Sequence, residues 1–207
     1  LVGAPAQADE THIDEALAQL PGIVESVQAR TGVPGIAVAV VRGDKLVYSA
    51  GFGVRNAKGD KPVTPETVFQ LASVSKSLGS STVAAAVGKK TLKWHDPVRK
   101  YLPDFALARK YPSRKVTVAD FYSHRSGLPG FTGNELESFG FNRNQIIDRM
   151  RYVPLSPFRV TYSYSNFGMT VGGEAAAVAN GTTWETLAER MIFDPLGMQH
   201  TSYRHRD

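Results

Sequence analysis

The 207-residue sequence contains no cysteine. That removes a disulfide scaffold, a thiolate metal site and a cysteine nucleophile. It has no long apolar run either. The longest, Ile36 to Val41, is six residues, against the ~20 needed to cross a bilayer, so no membrane span is expected. Histidine is scarce and scattered, at His12, His95, His124, His200 and His205. No two of them share the i, i+4 spacing of a helical ligand pair, and Asp207 is the one carboxylate beside the last of them, so no metal site is expected. Charge of one sign is only mildly in excess: 24 Lys plus Arg against 19 Asp plus Glu leaves +5. No basic run alternates with aromatics, which speaks against nucleic-acid binding. Internal repeats and low-complexity tracts are absent.

What is present suffices for a sizeable core. Apolar residues make up 42% of the chain, including 10 Phe, 8 Tyr and 2 Trp. This excludes a wholly disordered chain and suggests one domain, or one and a fraction. Residues 1–8 are small and uncharged and end in Ala6-Gln7-Ala8, before Asp9 and Glu10. They read as the remnant of a secretory signal with an A-x-A cleavage site, which would place the protein in a periplasm or outside the cell. An ordinary flexible terminus is the plainer alternative. Residues 9–207 then form the folded part.

Ile23 and Val27, four apart, predict a helix over 21–30 with Pro21 in its first turn and Gly32 as its cap. Ile36 to Val41 reads as a buried strand, Gly43-Asp44 as a turn and Leu46 to Tyr48 as the returning strand, a hairpin spanning about 36–54. A helical region of about 66–203 comes after it. Thr64-Pro65-Glu66 marks a short helical start, and Ala72 to Val87 a helix ending at Gly88. Asp96-Pro97, Leu102-Pro103 and Tyr111-Pro112 break the next stretch repeatedly. Further helices are expected over 116–122, 144–152, 167–178 and 184–192, with Gly127 to Gly130 in a loop. His124 is expected to fix its loop through hydrogen bonds, and Trp94 and Trp184 to anchor the core.

Two short motifs can carry chemistry. Ser73-Val74-Ser75-Lys76 opens the alanine-rich helix. Residues i and i+3 share a helical face, so the Lys76 amine can reach the Ser73 hydroxyl. The helix N-terminus favours developing negative charge, and a serine becomes a strong nucleophile only when a base takes its proton. Alone, such a tetrad is expected about once by chance in a chain of this length, and a polar helix start with a solvated lysine is then the preferred reading. Tyr164-Ser165-Asn166 is the second motif. A tyrosine phenolate beside an ammonium can act as base, and Asn166 can bind an amide. Alternatively, Tyr164 is a core residue and Asn166 a helix N-cap.

Together, 91 residues apart in the order Ser-x-x-Lys then Tyr-Ser-Asn, the two motifs resemble the serine β-lactamase and penicillin-binding-protein superfamily. The closer likeness is to its class C β-lactamase branch, with D,D-carboxypeptidase, D-aminopeptidase and esterase relatives. Class A enzymes carry Ser-Asp-Asn instead. Six stretches match in order: Thr31 to Gly35, Gly51 to Val54, Phe69 to Lys76, Asp96-Pro97-Val98 with Lys100 to Pro103, His124 to Pro129, and Pro195 to Met198 with Thr201. The likeness covers about residues 20–203. Two positions depart from it. Arg125 stands where threonine is usual, and Phe158-Arg159 where Pro-Gly is common.

The resemblance implies an α/β fold, a serine β-lactamase-like sandwich of an antiparallel sheet flanked by helices plus a helical lobe. It implies Ser73 as the acylated nucleophile, Lys76 and Tyr164 sharing the acid–base role, Asn166 orienting Lys76 and the substrate amide, and the Ser73 backbone N–H in the oxyanion hole. The activity would be a metal-independent serine hydrolase with no cofactor. It would act on a small molecule or peptidoglycan peptide: a D-Ala peptide, a β-lactam, a D-amino-acid peptide or a small ester. The alternative from another class is a non-catalytic penicillin- or peptidoglycan-recognising binding module. The family's third motif, a Lys- or His-x-Gly strand downstream of the tyrosine, has no copy here. Arg30-Thr31-Gly32 precedes the nucleophile, His124 to Gly127 is one residue too long, and Asn180-Gly181-Thr182 lacks the cation. The expectation is therefore an incomplete domain, the N-terminal part of a longer protein, with the C-terminal strands and the polypeptide that carries them cut off and still associated, disordered, or supplied by another chain.

Overall fold

The computed structural model describes residues 10–204, and of Glu10 and Thr11 the backbone only. The suspected signal remnant at residues 1–8 and His205 lie outside the described residues. The chain divides into two compact units, with the division between Phe69 and Gln70.

The first unit opens with α1, Glu10–Thr31, which begins well before the helix expected from residue 21 and holds Pro21 in its interior. The reason is a stripe continuing through the proline: Ile13, Leu17, Leu20, Val24 and Val27 are all buried or half-buried. Burial of a continuous face outweighs one lost backbone hydrogen bond. Ile23, expected on the buried face, is exposed, and Val24 takes that place. Gly32 ends the helix at φ +70°, and Gln28 Nε2 donates to Pro34 O at 3.3 Å, tying the helix to the start of the hairpin.

Strands β1, Gly35–Arg42, and β2, Lys45–Gly53, pair antiparallel, with Gly35 opposite Gly53 and Arg42 opposite Lys45. The expectation of a fully buried first strand is corrected. Ile36, Val38 and Val40 are half-buried while Ala37, Ala39 and Val41 are exposed, so the hairpin buries one face only. Gly51 is required by proximity, because a Cβ there would sit 2.4 Å from Val63 O. Thr64 to Thr67 form a turn rather than the expected helix start: Thr67 Oγ1 accepts from Thr64 N at 2.9 Å and closes it.

The second unit is helical. Residues Ala72–Val74 form a 3₁₀ turn leading into α2, Ser75–Gly88. Next come α3, Lys110–Lys115, and α4, Val118–Tyr122. Pro112 sits inside the first turn of α3, where its missing N–H is tolerated. The third short helix, α5, Asn134–Ser138, was not anticipated. It is succeeded by α6, Arg143–Arg149, then α7, Asn166–Ala179, and α8, Trp184–Ala188, which runs on into a π-turn over Glu189–Phe193. The core gathers around α7: Val171, Ala175 and Ala176 are fully buried with Phe121, Val83 and Leu187. Close approach rests on small residues. A Cβ on Gly172 would meet the Tyr122 ring at 2.7 Å, and one on Gly173 the Trp184 ring at 3.0 Å. Trp94 and Trp184 pack half-buried against this core.

Candidate active site

The four singled-out residues all belong to the second unit. Ser73 sits in the 3₁₀ turn that opens α2, and the turn starts from Ala72 at φ +45°, a left-handed conformation uncommon for a residue with a Cβ. The chain therefore bends sharply just before the serine, whose side chain is exposed. One turn into the helix, Lys76 Nζ donates to Ser73 Oγ at 3.2 Å. From 91 residues away, the Tyr164 hydroxyl donates to the same oxygen at 2.8 Å. The ammonium also lies 4.6 Å from the centre of the Tyr164 ring. Lys76, then Ser73, hold the Tyr164 phenol below its ordinary value against a small opposing effect of desolvation. One serine oxygen is thus shared by a cation and an acidified phenol.

Asn166 is the first residue of α7, but it is not the cap. Ser165 fills that role, its Oγ accepting from Gly168 N at 3.0 Å. The Asn166 side chain is left free to face the site. Its Nδ2 donates to Asn134 Oδ1 at 3.3 Å, while its buried Oδ1 has no partner among the described residues. That oxygen is chemically able to accept from an N–H donor. Lys76 and Asn166 line a cavity of about 260 Å³ together with Met169, Trp184 and Tyr203. Arg143, in the same lining, bridges Glu174 at 2.5 Å and Glu185 at 2.6 Å.

The segment carrying Tyr164 is held from behind. Gly127 O accepts from Ser156 N at 2.9 Å and Arg125 O from Arg159 N at 3.0 Å. Arg159, itself at φ +63°, grips Asp120 with two bonds of 2.9 Å each, Nε to Oδ1 and Nη2 to Oδ2. Asp120 also closes the capping box of α4 with Thr117. Burial alone would raise the Asp120 carboxyl, but Arg159 and then Thr117 bring it below the usual carboxylate value. His124 meets the sequence expectation: its Nδ1 accepts from Ser165 N at 3.1 Å. Asn134, Asp120 and Arg159 were not foreseen. The Thr117-x-x-Asp120 spacing was a readable capping signal, but nothing in the sequence paired Asp120 with a residue 39 positions on.

The beta-lactamase family model matches residues 14–207. The chain is 28% identical over 184 residues to the unguisins hydrolase ungD of Aspergillus violaceofuscus, covering 84% of this chain and 32% of that protein. It is 26% identical over 181 residues to the D-alanyl-D-alanine-carboxypeptidase/endopeptidase AmpH of Escherichia coli K12, covering 84% of this chain and 46% of that one. A solved class C beta-lactamase superposes with a TM-score of 0.77 at 25% identity, over 96% of this chain and 52% of its own. The chain thus spans between about a third and a half of the length of these relatives.

Proposed function

Because the chain belongs to the beta-lactamase family, we propose that it is a serine hydrolase working through an acyl-enzyme on an amide or ester carbonyl. One observation carries this reading: Lys76 Nζ and the Tyr164 hydroxyl converge on Ser73 Oγ, at 3.2 and 2.8 Å. When Tyr164 is ionised, the Ser73 hydroxyl donates to it across the same contact. As Oγ bonds to the substrate carbonyl carbon, its proton passes to the phenolate, and the Lys76 charge holds the phenol poised for that transfer. The tetrahedral intermediate then expels the amine or alkoxide, which takes the proton from Tyr164. Water enters by the reverse route: Tyr164 takes its proton, the hydroxide oxygen bonds to the acyl carbon, and Ser73 Oγ leaves as the alcohol with that proton returned from Tyr164. The Ser73 N–H is one donor to the oxyanion. The free Oδ1 of Asn166 accepts an N–H from the substrate or from Lys76.

The relatives suggest the substrate class. One is named for D-alanyl-D-alanine peptides, one for unguisins, and the structural neighbour for β-lactams. A D-alanyl-D-alanine peptide and a β-lactam are both amides, so an amide is the first choice, with a D-Ala peptide or a β-lactam ahead of a small ester. The test is steady-state hydrolysis of a D-Ala-D-Ala peptide, a penicillin and a chromogenic ester. Wild type turns over at least one of the three. Ser73→Ala abolishes turnover with an unchanged melting temperature, and Tyr164→Phe lowers kcat by about 10²–10⁴. A wild-type protein that binds penicillin without ever being acylated would establish the binding-module alternative instead.

A further inference from the structure

We propose that His124 is a positioning residue for Tyr164, acting through a neutral imidazole whose Nδ1 must remain an acceptor. The proposal rests on the serine-hydrolase reading above and names a group that this reading leaves unused. Tyr164 has to sit against Ser73 to within a fraction of an ångström for proton transfer, yet it lies in an irregular stretch just ahead of α7. Something other than a helix or a sheet must hold it there.

The hydrogen bonds around Tyr164 show what does. The His124 carbonyl accepts from Ser163 N at 2.8 Å, and the His124 ring nitrogen Nδ1 accepts from Ser165 N at 3.1 Å. One residue therefore pins the backbone on both sides of Tyr164. The Tyr164 carbonyl is taken in turn by Phe131 N at 3.0 Å. The His124 ring also backs the tyrosine ring, with centroids 4.8 Å apart and planes tilted by 33°. The backbone makes this double grip possible. His124 sits at φ +56°, which turns its carbonyl and its side chain toward the same neighbouring segment. A β-branched or bulky residue would resist that conformation, whereas asparagine and glycine accept it.

The grip is proton-sensitive. Nδ1 accepts only while it is unprotonated; a proton there would convert it to a donor facing the Ser165 N–H donor. The charged and titratable groups around it reinforce the neutral form. Partial burial, and then the Lys76 charge from α2, move His124 below its ordinary value. From the other segment the phenols of Tyr162, ring centroid at 5.5 Å, and Tyr164 face it. No carboxylate among the described residues is paired with this imidazole to stabilise its charge. At pH above the ordinary value of 6.5, His124 is neutral and the grip is intact. As pH falls through the lowered folded value, protonation of His124 competes with it.

Two variants and two readouts test this. His124→Gly keeps the left-handed backbone and the Ser163 bond but removes the ring and the acceptor. His124→Asn restores an acceptor oxygen near the Nδ1 position and cannot titrate. The first readout is the rate of Ser73 labelling by a fluorophosphonate against pH. The expected results are a loss of about 10²-fold in His124→Gly, with most of the rate restored in His124→Asn. In wild type the acid limb steepens from one proton to two as His124 charges, and in His124→Asn it stays at one. The second readout needs no activity. It is the ionisation of Tyr164, taken in the near ultraviolet as the difference between each protein and its Tyr164→Phe counterpart. It should return toward that of a free phenol in His124→Gly and remain lowered in wild type and His124→Asn. Equal labelling, equal pH profiles and an equal Tyr164 titration in all three proteins would overturn the proposal. A wild type that is never labelled, but whose Tyr164 titration still responds to His124→Gly, would overturn the hydrolase reading and leave the positioning role standing.

Discussion

Single residues carry most of the site's precision, and the Asp120–Arg159 pair shows how. Asp120 is buried and answers to three partners: Arg159, the Thr117 hydroxyl and the Thr117 backbone. Arg159 adopts φ +63° to make the contact, in a position where the resemblance had led one to expect Pro-Gly. The two demands can be separated by mutation. Arg159→Ala loses the ion pair and keeps the backbone strain, and should cost about 2 kcal/mol by urea unfolding. Arg159→Gly loses the pair but relieves the strain, and should recover about 1 kcal/mol of that. The pair also sets a pH dependence. A carboxyl lowered in the folded state contributes stability above its unfolded value, 3.8 here, and loses it as pH falls through the lower folded value. Asp120→Asn should therefore flatten the acid limb of stability measured below pH 4. Legibility at this scale was uneven. The reach of Lys76 to Ser73 was legible because i and i+3 share a helical face, though the tetrad alone did not mark a site. Tyr164 entered through family likeness, since no local rule joins residues 91 apart. Arg159 gave no local signal at all.

Elements show the same division. Helices with clear caps and stripes were found within a few residues. Asn142 and Gln145 form a reciprocal cap on α6, and α7 was displaced by only one residue from its expected start. Three elements were misread, one of them the helix start at Thr64 that is a turn. Pro21 looked like a start signal, but the apolar stripe of α1 runs through it. The first strand looked buried because all six of its residues are apolar, yet the pleat exposes Val41 and the alanines beside it. The closest packing in the helical unit was written in its glycines, which local pattern rules do not interpret. Gly172→Ala would push a methyl group to 2.7 Å from the Tyr122 ring, where α7 crosses α4. It should lower the unfolding free energy by about 1–3 kcal/mol, whereas Gly88→Ala, with open space around it, should not. Denaturant midpoints of the two variants check this directly.

At the scale of the molecule, the ordered motif matches over residues 20–203 anticipated the family that the match over residues 14–207 then established. Physical pattern alone reached only a hairpin and a run of helices, because helix and strand periods do not encode which element packs on which. Global stability should also carry an alkaline limb. The Tyr203 hydroxyl donates to Ser75 O at 2.8 Å, and burial pushes its phenol up to about 12. A group raised in the folded state stabilises below its unfolded value, 10.0, and that contribution is lost as pH climbs from there toward the folded one. Tyr203→Phe should flatten this limb, and the part that persists includes Tyr122, whose deeper burial raises it further, and Tyr101, raised by burial and by its bond to Asp96. The account's central claim, that Ser73 is an activated nucleophile, is tested most directly by intact-mass spectrometry after exposure to a fluorophosphonate. One adduct per chain, mapped to the Ser73 peptide and absent from Ser73→Ala, is the predicted result. A folded wild-type protein that takes up no adduct, or takes it up equally in Ser73→Ala, would contradict it.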